Sequence, residues 1–322
     1  MSTACCAPTE MLPFKLVYHK GYDLNLGEHV FPSQKFHLIA ETLVREEIAA
    51  AEDFLTPAVA SDEDILRVHT PEWVHKLKTG TLTASEIMKL EIPYSREAVE
   101  ACWLAAGGAI LAGQSALRDR FGCNLGGGFH HAYPGHGEGF CAIHDVAVAI
   151  RRLQSDGAIR KAMVVDTDVH QGNGTAAIFA KDESVFTLSI HQENNYPAYK
   201  PPSDLDLDLA DRVDDDEYLG VLIPAVQSAL DEFQPELLFY IGGADPFCED
   251  QLGGLSLTKK GLKERDRKVF EEARRRGIPV ATALAGGYAR CVEDTIRIHV
   301  NTIVAAREVA LAFPSASAAG QK

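Results

Sequence analysis

The chain has 322 residues, of which 46% are hydrophobic, so it can bury the core of one large α/β domain or of two smaller ones. Its formal net charge of −15 argues against the basic surface that nucleic-acid binding requires, and suits either a cationic substrate or simple solubility. The seven scattered cysteines and the absence of both a signal-peptide pattern and a long apolar run predict a cytoplasmic protein with reduced thiols and no membrane span.

Strands and helices alternate along the chain. Short runs rich in β-branched or aromatic residues predict strands at 14–18, 123–125, 162–165, 185–190, 237–241 and 278–284. Apolar residues at three- and four-residue spacings predict helices at 34–50, 96–118, 145–154, 216–232, 258–276 and 290–311. This alternation is typical of a mostly parallel sheet with helices on both faces. We expect one domain over residues 14–312, between a flexible leader at 1–13 and a flexible tail at 313–322.

The ends of five predicted strands carry the polar and glycine-rich segments of interest. In an open parallel sheet, ligands bind outside the carboxyl ends of the strands, so these segments should meet at one rim. They lie at 126–131, 168–170, 189–191, 242–245 and 285–288.

Three of these residues form a candidate metal site. Asp168 and His170 are two apart at the end of a strand, where side chains at i and i+2 point the same way. Asp245 ends another strand after two glycines and is the natural third ligand. Catalytic zinc usually takes three protein ligands and keeps one open position, although Fe²⁺ or Co²⁺ suits the same donors. An Asp-x-His pair alone is weak evidence, because both residues often cap strands.

Two adjacent histidines form a candidate proton-transfer pair. Amide hydrolysis requires a base that takes a proton from water and an acid that protonates the leaving amine, and His130 and His131 suit both roles near neutral pH. Asp166 is positioned to orient one imidazole and Asn173 the other. The alternative is a pair of hydrogen-bonded histidines in a structural turn.

Tyr288 follows two glycines after the last predicted strand. Its phenol is a candidate donor to the oxyanion that forms when a metal-polarised carbonyl is attacked. A tyrosine that only packs against the turn is the common alternative.

A monovalent cation site is a further hypothesis, based on adjacency alone. Carbonyl groups of Asp166, Asp168 and His170, with the Asp166 carboxylate, can surround such an ion. Ser189 and the backbone of Ile190, on the next strand along the chain, can complete the cage.

Together these residues resemble the arginase/deacetylase superfamily, and in particular the zinc-dependent histone deacetylases. The resemblance runs from about residue 14 to about residue 306, with ordered matches at 31–32, 126–131, 137–141, 166–174, 214–218, 252–257 and 286–288. The class IV branch and its bacterial relatives are the most similar, because their signature carries the equivalents of Gln171 and Asn173.

The resemblance implies an α/β arginase/deacetylase-like fold with an eight-stranded parallel sheet, one Zn²⁺ and a structural K⁺. By position, Asp168, His170 and Asp245 become the zinc ligands. His130 becomes the imidazole near the zinc-bound water, and His131 becomes the general base and acid. Tyr288 becomes the group that polarises the carbonyl.

The resemblance also implies a substrate tunnel. Phe140 and Tyr196 look like its two aromatic walls, and Gly139 looks like a backbone contact for the substrate amide. Lys35 resembles a basic residue of the inner cavity. Leu252 occupies the rim position where polyamine-selective relatives carry glutamate, which lowers the expectation of a polyamine substrate.

One departure concerns the base itself. Class I enzymes usually carry aspartate where this chain has Asn173, which cannot carry charge. We therefore expect weaker support for His131 and a lower imidazole pKa.

The expected activity is removal of an acyl group, acetyl or longer, from N-ε-acyl-lysine of proteins or peptides. Two alternatives remain open: hydrolysis of acetylpolyamines or other small N-acyl amines, and a catalytically weak protein that binds acyl-lysine. An arginase is disfavoured, because its two-metal site needs further aspartates around the Asp-x-His pair.

Overall fold

The computed structural model describes residues 12–314 and contains one sheet of eight parallel strands. The strands are β1 Lys15–Val17, β2 Phe54–Leu55, β3 Phe121–Asn124, β4 Ala162–Asp166, β5 Val185–Gln192, β6 Leu205–Leu209, β7 Leu237–Gly242 and β8 Val280–Leu284. Their order across the sheet is β2-β1-β3-β8-β7-β4-β5-β6. All seven strand pairings are parallel, which confirms the expected α/β class and strand number.

Ten α-helices connect and cover the strands within the described residues. They are α1 Lys35–Arg45, α2 Asp62–Ile65, α3 Pro71–Thr79, α4 Ala84–Leu90, α5 Arg96–Asp119, α6 Asp145–Ser155, α7 Asn173–Phe179, α8 Asp215–Phe233, α9 Lys259–Arg275 and α10 Val292–Ala312. Local sequence sets their ends: Ser95 caps α5 by accepting from the Ala98 N–H, and Asp214 caps α8 by accepting from the Glu217 N–H.

Alternating side chains on the strands divide the core into two layers. On β7, Leu237, Phe239 and Ile241 pack on the side of α5 and α6, whereas Leu238 and Tyr240 pack on the side of α8, α9 and α10. This is the period of two that a strand imposes. Both faces of the central strands are therefore buried, as is usual for a parallel sheet.

The six predicted strands are present, but the sheet has two more at its edges. β2 has only two residues, which is too short for a sequence pattern. β6 reads Leu-Asp-Leu-Asp-Leu, and most of its side chains are only half-buried. Its aspartates disfavour a strand on propensity alone, yet charged residues are common on edge strands, where they discourage pairing with other chains.

The ends of the predicted domain fall close to the limits of the described residues. Leu12 is buried, and its N–H donates to Asp53 at 3.2 Å. Residues 1–11 of the predicted leader and 315–322 of the predicted tail lie outside the described part of the chain. The division at 14–312 stays a prediction.

Strand register places the candidate site at one rim of the sheet. Asp166 at the end of β4 lies opposite Ser189 on β5 and Ile241 on β7, and Ile241 lies opposite Ala283 on β8. The loops that follow these strands therefore start at the same level, as the rule for parallel sheets requires.

Candidate active site and metal centre

The three predicted metal ligands lie together in the structure. One ligand atom from each of Asp168, His170 and Asp245 lies within 4.8 Å of the other two, and all three residues are buried. His170 Nδ1 is 2.9 Å from Asp168 Oδ1 and 3.5 Å from Asp245 Oδ2. Two carboxylates and one imidazole at these distances can converge on a single cation.

The donors fit a divalent metal ion. Asp245 Oδ2 is buried and has no hydrogen-bond donor among the described residues, although its partner oxygen accepts from the Val169 N–H at 2.9 Å. A buried carboxylate oxygen without a donor is costly unless a cation compensates for it. Oxygen and nitrogen donors of this kind suit Zn²⁺, Fe²⁺ or Co²⁺.

Gly286 is required for the carboxylates to come this close. Its N–H donates to Asp168 Oδ2 at 3.0 Å. A Cβ at this position would lie 2.0 Å from Asp245 Oδ2 and 2.5 Å from Asp168 Oδ2. Any larger residue would therefore displace the ligand carboxylates.

A buried arginine braces the two loops that carry the carboxylates. Arg265 Nη1 donates to the carbonyl oxygens of Thr167 at 3.1 Å and Gly243 at 2.9 Å, and Nε donates to Asp266 at 2.8 Å. Thr167 precedes Asp168, and Gly243 lies two residues before the other carboxylate. Sequence reasoning missed Arg265, although a signal exists: it sits at an apolar position of α9, three residues after the buried Leu262.

The two histidines have different partners. His130 Nδ1 lies 2.6 Å from Asp166 Oδ2, and His131 Nδ1 lies 2.7 Å from Asn173 Oδ1. The pairing expected from the sequence is therefore present, with the carboxylate on the first ring and the amide on the second. The ring centroids are 4.0 Å apart.

These partners move the two pKa values in opposite directions. Burial opposes protonation of His130, but the charges of Asp166 and Asp168 outweigh it and raise its pKa to about 9. Burial, together with the charge of His130, holds the pKa of His131 well below its usual value. His131 is thus the neutral imidazole of the pair near pH 7.

Glu138 lies behind Asn173 and was not anticipated. Asn173 Nδ2 donates to Glu138 Oε1 at 2.5 Å, so the amide lies between His131 and a carboxylate. Lys89 Nζ and His136 Nε2 lie 2.9 and 3.2 Å from its other oxygen, Oε2. The sequence offers no local signal, because Glu138 is in a loop and two of its partners, Asn173 and Lys89, come from distant segments.

A narrow pocket leads to the candidate metal centre. It has a volume of about 210 Å³, and its lining includes Phe140, Tyr196, His131, His170 and Tyr288. The aromatic walls, the imidazoles and the phenol expected from the sequence therefore surround one cavity.

Tyr288 is buried beside the predicted ligands. Its ring centroid lies 5.9 Å from that of Phe140 and 6.4 Å from that of His170. Burial, reinforced by the charges of Asp168 and Asp245, raises the pKa of Tyr288 well above its usual value. The phenol therefore keeps its proton and remains a hydrogen-bond donor.

Gly139 and Phe140 form a tight turn on the pocket wall. Both have left-handed backbone conformations, with φ of 52° and 69°, and the Phe140 N–H is fixed by the Leu90 carbonyl at 2.9 Å. A Cβ on Gly139 would lie 2.7 Å from the His131 ring and 2.9 Å from the Tyr196 ring. The glycine lets both rings face the pocket.

The pocket mouth carries one apolar and one acidic residue. Leu252 lines it, as expected from the sequence, but Glu91 lines it as well. Glu91 ends α4 in a left-handed conformation, with φ of 59°. Burial and the nearby charge of Glu138 raise the pKa of the Glu91 carboxyl. The expectation of an apolar rim, based on Leu252 alone, therefore omitted the acidic residue Glu91.

Residues of the predicted monovalent-cation site lie on neighbouring strands. Asp166 ends β4 opposite Ser189, and Ile190 follows on β5. The Asp168 N–H donates to Asp166 Oδ1 at 3.1 Å, and Ser189 Oγ lies 3.0 Å from His191 Nδ1. The hypothesis that these residues hold K⁺ stays a prediction.

Lys35 lies on the inner side of the centre. It is fully buried, and its Nζ donates to the Ala285 carbonyl at 2.5 Å. Burial lowers its pKa to about 8, against the opposing influence of Asp245 and Asp168. A small cavity of about 20 Å³, lined by Phe31, His130 and Tyr288 among others, lies deeper than the main pocket.

Comparison with known proteins defines the class. Residues 29–303 match the histone deacetylase domain, so the chain belongs to this family, and membership supports a hydrolytic deacetylase. Among residues 12–314, no helix is long and apolar enough for a bilayer span.

Individual relatives agree with this assignment. An uncharacterized protein of Picosynechococcus is 40% identical over 92% of this chain and 99% of its own length. Histone deacetylase 2 of Arabidopsis thaliana is 31% identical over 87% of this chain and 77% of its own length. The crystal structure of an HDAC homologue from Aquifex aeolicus superposes with a TM-score of 0.75 at 22% identity, covering 91% of this chain and 83% of that chain, which supports the common fold.

Proposed function

We propose that the protein is a zinc-dependent deacylase that hydrolyses the amide bond of N-ε-acyl-lysine in peptides or proteins. The observation that carries this proposal is the arrangement of one pocket. The Asp168, His170 and Asp245 cluster lies at its base, and an imidazole and a phenol that can move or donate protons line it.

Asp168, His170 and Asp245 would hold the metal ion. A zinc ion there would supply Lewis-acid polarisation of the substrate carbonyl and a more acidic water. The remaining chemistry belongs to the side chains around the pocket.

His131 is the general base in this proposal. Its pKa lies well below the usual value, so its Nε2 is unprotonated and can accept a proton from water while Nδ1–H faces Asn173. The same nitrogen then returns the proton to the departing amine. His130 Nδ1 lies against the Asp166 carboxylate, which favours the charged imidazole, and this charge can stabilise the negative charge that develops during attack.

Tyr288 is the oxyanion donor in this proposal. The raised pKa of its phenol keeps the proton in place, so the hydroxyl can donate to the carbonyl oxygen as charge develops on it. Phe140 and Tyr196 would pack along the methylene stem of the lysine, and the Gly139 backbone would contact its amide.

The inner cavity favours a short acyl group. A volume of about 20 Å³ holds roughly one water molecule, which suits a small group better than a long chain. We therefore expect acetyl to be hydrolysed faster than myristoyl.

A second candidate substrate is an acetylated polyamine. Glu91 places a carboxylate at the mouth, where it can attract a distant ammonium group. This observation opposes the lower expectation of a polyamine substrate that rested on Leu252. Class IV membership, the cytoplasmic location and the structural K⁺ remain predictions from the sequence.

The test is turnover by the zinc-loaded protein on lysine peptides that carry acetyl through myristoyl groups, with acetylspermidine alongside. A rate that peaks at acetyl-lysine and falls at least about 100-fold in Tyr288→Phe would support the proposal. Turnover of acetylspermidine alone would favour the polyamine candidate. Tight peptide binding without turnover would instead indicate an acyl-lysine-binding protein.

A further inference from the structure

An asparagine gives ambiguous support to a catalytic histidine. Its side chain has an accepting oxygen and a donating nitrogen, so either end can face the ring. If the nitrogen of Asn173 faced His131, Nδ1 would have to accept, and Nε2 would carry the proton instead. A base that must take a proton at Nε2 requires the opposite arrangement.

The partners of Asn173 resolve this ambiguity. An ionised carboxylate only accepts hydrogen bonds, so Glu138 at 2.5 Å binds the NH₂ end of the amide. The Gly174 N–H donates to Oδ1 at 3.0 Å and favours the same orientation. The amide oxygen is thereby directed at His131 Nδ1, 2.7 Å away.

Glu138 is held as an anion despite its burial. Its side chain is only 9% exposed. Burial raises the carboxyl pKa, but hydrogen bonds with His136, Lys89 and Asn173 outweigh it and lower the pKa to about 2. Because Lys89 and His136 contact the other oxygen, Oε1 remains free for the amide.

We propose that Glu138 is a positioning residue for the base: through the amide of Asn173 it fixes the Nδ1–H tautomer of His131 and strengthens the hydrogen bond that this N–H donates. Hydrogen bonds in a chain polarise one another, and an anion at the far end increases the negative charge on the amide oxygen. Glu138 thus supplies a negative charge to His131 through the side chain of Asn173. An aspartate at position 173 would supply that charge by direct contact.

The first test is spectroscopic and does not depend on the proposed function. Nitrogen and proton spectra of ¹⁵N-histidine-labelled, zinc-loaded protein identify the tautomer of His131, with His131→Gln for assignment. We expect an Nδ1–H proton far downfield in the wild type and a shift upfield in Glu138→Gln. An unchanged Nδ1–H resonance in that variant would overturn the proposal.

The second test exchanges the carboxylate and the amide. Glu138→Gln removes the charge but keeps the shape, and we expect kcat to fall about tenfold. The double variant Glu138→Gln, Asn173→Asp restores one carboxylate and one amide in contact, with the carboxylate now beside His131. We expect it to recover most of the lost kcat and to move the Nδ1–H resonance downfield again.

This second test rests on the proposed deacylase function, and its controls separate the two ideas. Glu193→Gln removes another carboxylate, on an exposed residue three positions before Tyr196, and should change neither kcat nor the spectrum. Wild-type protein without turnover would refute the function but leave the spectroscopic test decisive. An active wild type with full kcat in Glu138→Gln would refute the role of Glu138 alone.

Discussion

The two imidazoles of the site are neighbours in sequence and in space, yet their surroundings favour opposite protonation states. His130 contacts the Asp166 carboxylate directly, and its pKa rises to about 9. His131 contacts an amide, and its pKa falls well below the usual value. The comparison teaches that the partner of a histidine, more than its burial, decides whether it serves as a charge or as a base, since both rings are buried.

The largest effect should come from removing His131, the proposed general base. His131→Gln should lower kcat by about 10²–10⁴-fold, because a general base is lost, whereas His130→Gln should cost less. Steady-state kinetics on an acetyl-lysine peptide measure both, with bound zinc confirmed in each variant. A greater loss in His130→Gln would reverse the roles assigned to the pair.

The next largest effect should be on the affinity of the predicted ligands for zinc, with the contacts of the histidine pair unchanged. Arg265→Lys shortens the side chain, so it can no longer reach both the Thr167 and Gly243 carbonyls. We expect zinc affinity to fall by about 10–100-fold, as for other residues that orient ligands. Competition with a chelator measures the affinity, and thermal unfolding checks that the variant is folded. Wild-type affinity would show that the loops hold their position without this brace.

A smaller effect should appear in the pH profile. In a Glu138→Gln background, where the new carboxylate does not face a second one, Asn173→Asp places a negative charge beside His131 and raises its pKa. Since the base must be unprotonated, activity is lost as pH falls through this pKa, so the acidic limb of kcat/KM should move to higher pH. Profiles of Glu138→Gln and of the double variant between pH 5 and 9 test this, and a limb that moves to lower pH would contradict it.

The smallest effect on activity is expected from a substitution at the pocket mouth, away from the two imidazoles. Glu91→Gln should raise KM for acetylspermidine several-fold but leave a neutral acetyl-lysine peptide nearly unchanged, because an exposed charge contributes about 0–1 kcal/mol. Each substrate is the control for the other. Equal changes in both would show that Glu91 shapes the mouth rather than attracts cations.

Sequence reasoning predicted the positions of candidate site residues where these residues follow a strand. The Asp168 and His170 spacing, the glycines before Asp245 and the histidine pair all lie at strand ends, and the sheet brings such ends together. These features depend on local pattern and on one general rule of parallel sheets.

The residues that were missed depend on tertiary contacts. Glu138 is in a loop and Glu91 is at a helix end, where no periodicity predicts which side chain reaches the site or its supporting residues. The charge of Arg265 suggests a surface position, although its spacing from Leu262 places it on the buried face of α9. The strand β6 was missed because its aspartates oppose strand propensity, whereas its pairing with β5 is a tertiary contact.

The position of β8 in the sheet has a consequence for how the chain is made. β8 is the last strand in sequence, yet it lies between β3 and β7 and is the hydrogen-bonded link between the halves β2-β1-β3 and β7-β4-β5-β6. The histidine pair follows β3, and the three predicted ligands follow β4 and β7. Until residue 284 has left the ribosome, β3 and β7 lack their shared partner strand. Each half-sheet then exposes an unpaired edge, which favours aggregation. The approach of the histidine pair to the three predicted ligands would therefore mark the moment at which synthesis has passed the final strand.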